Sequence, residues 1–195
     1  MGFLRLLAAG RTAVLDGFFS GLTYFGSELA FMAAALLMFW CIDKRQGYYV
    51  FLVGAFGTIC NQFLKLAFRI PRPWVLDPEF QIVEAARADA TGYSFPSGHV
   101  TAAMAGVTAL VLTGKKPARY WAFLFVPVMG FARNYLMAHY PSDVLGAMIV
   151  GLVAATIAYA ITLLIYRIVS AHPDNGFCRF VLHGGIGSKK DRQAA

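Results

Sequence analysis

The stretch YSFPSGHVT, residues 93–101, carries side chains that could hold an anion at the start of a helix. Ser97, Gly98 and His99 lie where a polar segment gives way to a long apolar run. The first N–H groups of a helix lack intrahelical partners, and the helix dipole is positive at that end. We therefore predict an anion-binding helix start here. Taken alone, His99 is also consistent with a purely structural histidine.

Two other short segments carry the same kinds of residue. KLAFRIPRP covers residues 65–73, and ARNYLMAHYPSD covers residues 132–143. With the first stretch they supply three cations, two of the four histidines and one carboxylate, namely Lys65, Arg72, Arg133, His99, His139 and Asp143. Each segment is weak evidence alone, since a lysine near the end of an apolar helix commonly extends toward the membrane interface. Their combination at the ends of separate helices predicts a ligand site.

The elements that must position these residues are membrane helices by composition. Of the 195 residues, 58% are hydrophobic and 14% are charged, against about half and about a quarter in soluble domains. The mean hydropathy is +0.60. We predict an all-α, polytopic transmembrane bundle that forms a single membrane-embedded domain over residues 1–195. No basic tract is typical of nucleic-acid binding, so membrane lipids rather than nucleic acid are the expected partners.

Five apolar stretches are predicted to span the membrane, at residues 28–42, 48–68, 98–113, 119–137 and 144–169. Charges at positions 5, 11 and 16 interrupt residues 1–25, which favours an amphipathic helix lying in the interface. A sixth span is the alternative for that segment. Prolines stop the second span, and residues 69–96 are expected to form an outer active-site loop with a lid or a short surface helix.

The distribution of basic residues predicts the orientation. Two loops and the tail, residues 43–45, 114–119 and 170–195, carry cations on one side, which should be the cytoplasm. Arg72 and Arg133 lie on the opposite side, against the positive-inside tendency. Cations that the topology does not require are better explained by a ligand. The site is therefore expected at the extracytoplasmic face of a multi-pass protein of the cell membrane.

Several other residues are expected to take no part in chemistry. The cysteines, Cys41, Cys60 and Cys178, show no metal-ligand spacing, so neither a metal site nor a disulfide framework is predicted. Acidic residues of the outer loop should be solvated, namely Asp77, Glu79, Glu84 and Asp89. Arg69 lies beside the first cationic motif and is expected to contact either lipid head groups or the edge of a phosphate.

Taken together, three motifs resemble the signature of the type 2 phosphatidic acid phosphatase (PAP2) superfamily. They are Lys65 followed after six residues by Arg72-Pro73, then Pro96-Ser97-Gly98-His99, then Arg133 followed after five residues by His139 and after three more by Asp143. The third motif usually opens with Ser-Arg, and Ala132 takes the place of the serine here. The resemblance covers residues 65–143, and the flanking apolar stretches fit the integral membrane branch.

The resemblance implies a role for each residue, and phosphoryl transfer gives each role a physical reason. The implied phosphate-binding residues are Lys65, Arg72, Ser97, Gly98 and Arg133. His139 would attack phosphorus to form a phosphohistidine, and Asp143 would hold its far ring nitrogen. His99 would protonate the leaving group and then activate water. No metal or cofactor is implied, because the cationic side chains would neutralise the phosphate charge.

These roles predict a metal-independent membrane phosphatase that acts on a phosphorylated lipid at the outer leaflet. Undecaprenyl pyrophosphate, phosphatidylglycerophosphate and phosphatidic acid are the candidate substrates. Two alternatives use the same scaffold, a phosphotransferase with a lipid or sugar acceptor and a non-enzymatic lipid-binding or transport protein. The second lacks support because both histidines and Asp143 are present. The sequence indicates neither which lipid is used nor an oligomeric state.

Overall fold

The computed structural model describes residues 2–77, 79–114 and 117–172. Within these ranges every regular element is helical, which confirms the predicted all-α class. The α-helices are α1 (Gly2–Ala9), α2 (Ala13–Thr23), α3 (Glu28–Leu37), α4 (Lys44–Phe68), α5 (Pro73–Leu76), α6 (Glu84–Arg87), α7 (Gly98–Thr113), α8 (Phe125–Tyr135) and α9 (Pro141–Ala171). Shorter helical turns occupy Tyr24–Gly26, Met38–Ile42 and Pro117–Leu124. Beyond His172, the predicted cytoplasmic tail, with Cys178, lies outside the described residues.

Helices α4, α7 and α9 form the centre of the bundle. Alanines of α7 and α9 share a buried cluster with Val53 of α4. A Cβ atom built on Gly151 would lie 2.6 Å from the Thr101 carbonyl oxygen, so only glycine fits at this crossing of α7 and α9. Small residues that let backbones approach closely are typical of helix packing in membranes. The alanine- and glycine-rich α7 is packed as its composition indicates.

Large apolar side chains cover the outside of this bundle. Leu29 and Trp121, for example, expose 81% and 73% of their surface. Soluble monomers rarely leave apolar surface exposed over large contiguous areas. This surface suits hydrocarbon rather than water as its solvent, so the chain is a membrane protein.

Of the described helical stretches, Arg45–Leu76 and Pro141–Ala171 are each long and apolar enough to cross a membrane. A third stretch of sufficient length exists only if two consecutive helical segments, Ala13–Gly26 and Glu28–Cys41, are taken together. The chain bends by 46° between them. With 16 residues, α7 is about 24 Å long, shorter than the hydrocarbon core of about 30 Å. The count of five spans therefore stays a prediction.

The fourth predicted span, residues 119–137, is not a single α-helix. A 3-10 segment, Pro117–Leu124, leads into α8, and α8 ends at Tyr135. Leu136 and Met137 are fully buried in the turn beyond it. Apolar residues packed inside a turn look the same in sequence as apolar residues of a helix. The predicted end, at about residue 137, lies two residues beyond the observed one for that reason.

The N-terminal segment, predicted as one helix over residues 1–25, consists of two. Thr12 separates them, and its hydroxyl accepts the N–H three residues further on, at 3.3 Å, to cap α2. Leu4 of α1 is buried in a cluster with Phe80 and Met137. The start of the chain therefore packs against the outer loop and the turn after α8.

The outer loop, residues 69–96, contains the predicted short helix, α6, and a second one that was not predicted, α5. Apolar side chains of its second half pack against the end of α8 in a buried cluster that includes Ile82, Ala86, Tyr135 and Leu136. The loop thus has a small core of its own. It is fixed to the bundle rather than lying over it as a free lid.

Candidate active site

Four helix ends meet at the site, the C-terminal ends of α4 and α8 and the N-terminal ends of α7 and α9. The structure brings together there all eight residues predicted for the site, namely Lys65, Arg72, Ser97, Gly98, His99, Arg133, His139 and Asp143. Most are buried, with exposed fractions of 2% or less for Arg72, Ser97, Arg133, His139 and Asp143. Buried polar groups need hydrogen-bond partners. Their partners within the protein therefore decide what else the site can bind.

A tight turn after α8 brings His139 back beside Arg133. Met137 adopts a left-handed backbone conformation with φ of 59°, and the Ala138 N–H donates to the Arg133 carbonyl at 3.1 Å. Helix α9 begins immediately after Tyr140. The side chains at positions 139 and 143 are four residues apart and therefore lie on the same face of the chain as it enters α9.

Arg72 is bound by backbone carbonyls on all three nitrogens of its guanidinium. Its Nε donates to Gly92 at 2.9 Å, and its terminal nitrogens donate to Ala138 at 2.9 Å and Thr91 at 2.7 Å. The nitrogen that bonds Ala138 also lies 3.4 Å from Nε2 of His139. Arg72 therefore ties the outer loop to the turn before α9 and places a positive charge beside His139.

Asp143 is held by two donors, one of which the sequence analysis missed. Its Oδ2 accepts from the Ser94 hydroxyl at 2.5 Å and from the Tyr140 N–H at 2.9 Å. The same oxygen lies 3.4 Å from Nδ1 of His139. This separation exceeds that of a strong hydrogen bond, and catalytic contacts commonly shorten when substrate binds. Ser94, fully buried, orients the carboxylate that faces the histidine.

His139 is neutral in this environment. Burial, followed by the charges of Arg72, Arg133 and Lys65, holds the pKa of His139 well below its usual range. In a neutral imidazole only one ring nitrogen carries a proton. The nearby carboxylate favours that proton on Nδ1, which leaves the lone pair on Nε2. Nε2 is thus the atom available for attack.

Arg133 differs from Arg72 in its bonding. Its side chain is fully buried, yet none of its three guanidinium nitrogens has a hydrogen-bond partner among the described residues. A buried cation without a partner is costly to the fold. Its planar fork matches two oxygens of a phosphate group. The burial and bonding of Arg133 therefore point to an anionic ligand.

Ser97 occupies the N-cap position of α7, but its hydroxyl does not cap the helix. The oxygen is buried and, within the part of the chain that the structure describes, has no partner. Asn61 of α4 holds this segment in place, since its side-chain amide donates to the Pro96 carbonyl at 3.3 Å. The Ser97 hydroxyl and the N–H of Gly98 thus stand at the positive end of the helix dipole, where an anion is favoured.

His99 lies in the first turn of α7, and its Nε2 is buried without a hydrogen bond to any described residue. Oδ2 of Asp89, on the outer loop, lies 3.9 Å from this nitrogen. Asp89 is exposed, as the sequence indicated, and it also faces this histidine. Arg133 and Lys65 are also within electrostatic range of His99, so this histidine faces the same space as those two cations.

Some residues lie outside this cluster. Arg69, at the C-terminal end of α4, is exposed, and its Nε donates to the Leu66 carbonyl of its own helix at 3.0 Å. Asp77 and Glu79 lie 3.7 and 3.8 Å from the guanidinium of Arg5. These loop carboxylates therefore serve surface contacts with α1.

The sequence analysis did not include three residues that the structure places at the site, namely Ser94, Asn61 and Asp89. Asn61 had a usable signal, because it lies four residues before Lys65 and so on the same helical face. Ser94 and Asp89 had none. Their importance comes from what lies opposite them in space, Asp143 and His99 respectively.

This arrangement contains the parts that phosphoryl transfer requires. It has cations for the phosphate oxygens, a neutral histidine beside a carboxylate, and a second histidine for proton transfer. Among the described residues, no group of three or more His, Cys, Asp or Glu side chains is placed to hold a metal ion. The positive charge at the site comes from Lys65, Arg72 and Arg133.

Comparison with known proteins shows similarity to phosphatases. The family model of the PAP2 superfamily matches residues 46–167. The chain is 31% identical over 150 residues to undecaprenyl-diphosphatase BcrC of Bacillus subtilis, a match that covers 73% of this chain and 72% of the relative. It is 23% identical over 148 residues to an undecaprenyl-diphosphatase of Sulfolobus acidocaldarius, covering 75% of this chain and 70% of that one.

The fold is similar to that in the crystal structure of LpxE from Aquifex aeolicus. The TM-score is 0.69 at 26% sequence identity, over 82% of this chain and 93% of the other. The family match contains all three motifs and every residue of the site described above. The chain therefore belongs to the PAP2 superfamily and is a phosphatase.

Proposed function

We propose that this phosphatase removes the terminal phosphate from a lipid diphosphate of the undecaprenyl type, without a metal ion, at the extracytoplasmic face of the membrane. The observation that carries the proposal is Arg133, a fully buried guanidinium with no partner among the described residues. Two relatives are undecaprenyl-diphosphatases, which favours a prenyl diphosphate over the other phosphorylated lipids.

The terminal phosphate is held mainly by side chains that have no other partner in the described part of the protein. Arg133 binds two of its oxygens through the guanidinium fork. Ser97 and the N–H of Gly98 donate at the start of α7. Lys65 contributes charge from the last turn of α4. Arg72 keeps its carbonyl partners and acts through its charge beside Nε2 of His139.

In the first step, Nε2 of His139 attacks phosphorus in line with the bridging oxygen of the diphosphate. The N–P bond forms and the P–O bond to the lipid monophosphate breaks. His99 gives a proton to the departing oxygen. Asp143 stabilises the positive charge that develops on the imidazole, because its carboxylate faces Nδ1.

In the second step, His99 takes a proton from a water molecule as that water attacks the phosphohistidine. The N–P bond breaks, inorganic phosphate forms, and Nε2 regains its lone pair. One water is consumed and one phosphate is released in each cycle. The cationic side chains balance the phosphate charge throughout, which is the role that magnesium plays in other phosphoryl-transfer enzymes.

The proposed orientation rests on the positions of basic residues. With five spans, the basic loops at residues 43–45 and 114–119 would share one side of the membrane, and loops rich in Lys and Arg favour the cytoplasm. The active-site helix ends then face the opposite leaflet. Intact spheroplasts given an impermeant phosphorylated substrate should hydrolyse it; hydrolysis only after lysis would reverse this orientation.

The decisive experiment compares His139→Ala with a matched control in purified protein. Phosphate release from undecaprenyl diphosphate should fall by at least about a thousandfold in His139→Ala. His172→Ala should keep full activity, because His172 is exposed and its ring contacts the Ile168 carbonyl at the far end of α9. Substrate labelled in the terminal phosphate should leave an acid-labile label on the wild type and none on His139→Ala.

Wild-type turnover should persist in EDTA and be blocked by vanadate, which mimics five-coordinate phosphorus. Full activity of His139→Ala would exclude the phosphohistidine route. Loss of wild-type activity in EDTA, restored by a divalent cation, would exclude the metal-independent mechanism. Turnover of phosphatidic acid or phosphatidylglycerophosphate well above that of undecaprenyl diphosphate would refute the proposed substrate class.

A further inference from the structure

An apolar cavity of about 390 Å³ opens beside the active site, between α3, α4 and α7. Its walls are formed mainly by phenylalanine, alanine and glycine residues, including Phe31, Gly57 and Ala102. The volume lies within the range of small-molecule pockets, about 300–1,000 Å³. Membrane helices normally pack closely through small residues, so a cavity of this size between three of them calls for an occupant.

The cavity is continuous with the proposed phosphate site through two residues. Gly98, the first residue of α7, lines the cavity and supplies the N–H proposed to bind phosphate. Asn61 also lines it and holds the Pro96 carbonyl beside Ser97. A ligand bound through phosphate at this helix end therefore has its remaining atoms at the mouth of the cavity.

From that mouth the cavity follows the helices into the depth of the bundle. On α7 its lining runs from Gly98 to Ala105, which corresponds to about 10 Å along the helix axis. On α4 it runs from Asn61 to Phe51, about 15 Å. Phe51 is 53% exposed, so this end also opens toward the surface that faces lipid.

The polarity of the lining changes along this path. Glu28, Asn61 and Thr101 lie among the lining residues near the start of α7 or α3, whereas Phe51 and Val53 lie at the other end on α4. Beyond these residues the lining is mainly apolar. This inner part of the cavity therefore suits an uncharged hydrocarbon chain attached to the phosphate, because a charged or polar group buried there would lack a partner.

We propose that this cavity, the chain groove, seats the proximal part of the prenyl chain of the diphosphate substrate. The proposal rests on the function proposed above and adds the surface that recognises the lipid. The part of the chain nearest the phosphate lies between α4 and α7. The remainder leaves past Phe51 into the bilayer. The groove therefore distinguishes a substrate with a prenyl chain from one without, but it does not distinguish long chains from one another.

Gly57 keeps the chain groove open. A Cβ atom built on it would meet only the Thr101 methyl group, at 3.8 Å, an ordinary van der Waals distance. A larger side chain at this position therefore extends into the groove without displacing backbone. Gly54 is different, because its Cβ would lie 2.7 Å from the Phe31 ring. Gly57 is thus the position at which the groove can be filled with the least disturbance to packing.

The test uses Gly57→Leu and two diphosphates with the same head group, farnesyl diphosphate and dimethylallyl diphosphate. The leucine should lower kcat/KM for farnesyl diphosphate by about tenfold or more, because the longer chain loses its apolar contacts. The value for dimethylallyl diphosphate should change by less than about twofold, since that molecule hardly enters the groove. Ala102→Phe, which fills the groove from α7, should give the same selective loss.

Gly21→Leu is the matched control, because a Cβ atom at Gly21 of α2 would have no atom within 4 Å. It should leave both substrates unaffected. Equal losses for both diphosphates in Gly57→Leu and Ala102→Phe, or no loss for either, would overturn the chain groove while leaving the phosphatase intact. Failure of the wild type to hydrolyse either diphosphate would overturn the proposed function, and the groove proposal would fall with it.

Discussion

The two sides of the active site satisfy their buried polar groups in opposite ways. The first, called the bonded side, consists of Arg72, Ser94 and Asp143. Their side chains form hydrogen bonds within the protein. On the other, the unpaired side, buried polar atoms have no hydrogen-bond partner within the described chain; it consists of Arg133, Ser97 and His99. Both sides lie at the same helix ends and within reach of one phosphate.

This difference separates two tasks. The bonded side fixes the position of His139, the proposed nucleophile, since Arg72 and Asp143 approach opposite nitrogens of its ring. On the unpaired side, the hydrogen-bond donors and the proposed acid make no hydrogen bonds to described residues. This lowers the stability of the fold, and it leaves these groups available to bind substrate. Substitutions on the bonded side should therefore cost stability and activity together. Those on the unpaired side should cost activity alone.

The largest expected effect is that of Arg72→Ala on the bonded side. It leaves three carbonyl groups without their charged donor, and hydrogen bonds of this kind contribute about 1.5–3 kcal/mol each. We expect the free energy of unfolding to fall by about 3 kcal/mol or more and activity to disappear. Arg72→Lys should not restore either, because one ammonium group cannot reproduce the planar fork. Thermal melting in detergent and phosphate release measure the two losses.

Arg133→Ala should separate activity from stability. Removal of a preorganised donor to the transferring phosphate is expected to lower kcat/KM by about 10²- to 10³-fold. The melting temperature should stay the same or rise, because a buried cation without a partner is removed. A melting temperature that falls as far as that of Arg72→Ala would erase the distinction between the two sides.

Ser94→Ala should give a smaller loss on the bonded side. One of the two described donors to Oδ2 of Asp143 is removed, and the Tyr140 N–H remains. We expect kcat to fall by about tenfold with little change in KM, because the phosphate contacts are untouched. Ser20→Ala is a suitable control, since the Ser20 hydroxyl is buried on α2 without a described partner. A rise in KM with unchanged kcat would place Ser94 among the substrate contacts instead.

Asp89→Asn should produce the smallest effect, on the unpaired side. The carboxylate lies 3.9 Å from Nε2 of His99 and is about half exposed, so its charge assists proton transfer only weakly. We expect a loss of about threefold with phosphatidic acid and less with a lipid diphosphate, whose leaving group needs protonation less. Equal rates for Asp89→Asn and the wild type on both substrates would show that Asp89 does not act through His99.

The outer loop and the turn after α8 show where sequence patterns stop being informative. Pro71 and Pro73 mark the end of α4, and a short helix in the loop after them was predicted, which corresponds to α6. The end of α8 at Tyr135 was not, because the residues in the following turn are as apolar as those of the helix. Local sequence patterns predict where a helix ends when polar residues or prolines lie at its boundary. They do not predict the end when the residues beyond the boundary are buried and apolar.

Three motifs in order were enough to predict the family and the eight residues of the site, and composition was enough to predict the membrane location. Residue type and spacing carry that information because phosphoryl transfer needs cations, a nucleophile and a proton donor wherever the fold places them. The all-α class also follows from the apolar stretches alone.

Only the tertiary structure distinguishes Arg72 from Arg133. Both are arginines at positions that match the motif spacing, and the sequence analysis gave them the same role. The backbone carbonyls that bind Arg72 come from positions 91, 92 and 138, which become neighbours only when the outer loop packs on the end of α8. Ser94, Asp89 and the chain groove depend on such long-range contacts too, and no local pattern encodes which buried polar group will be left without a partner.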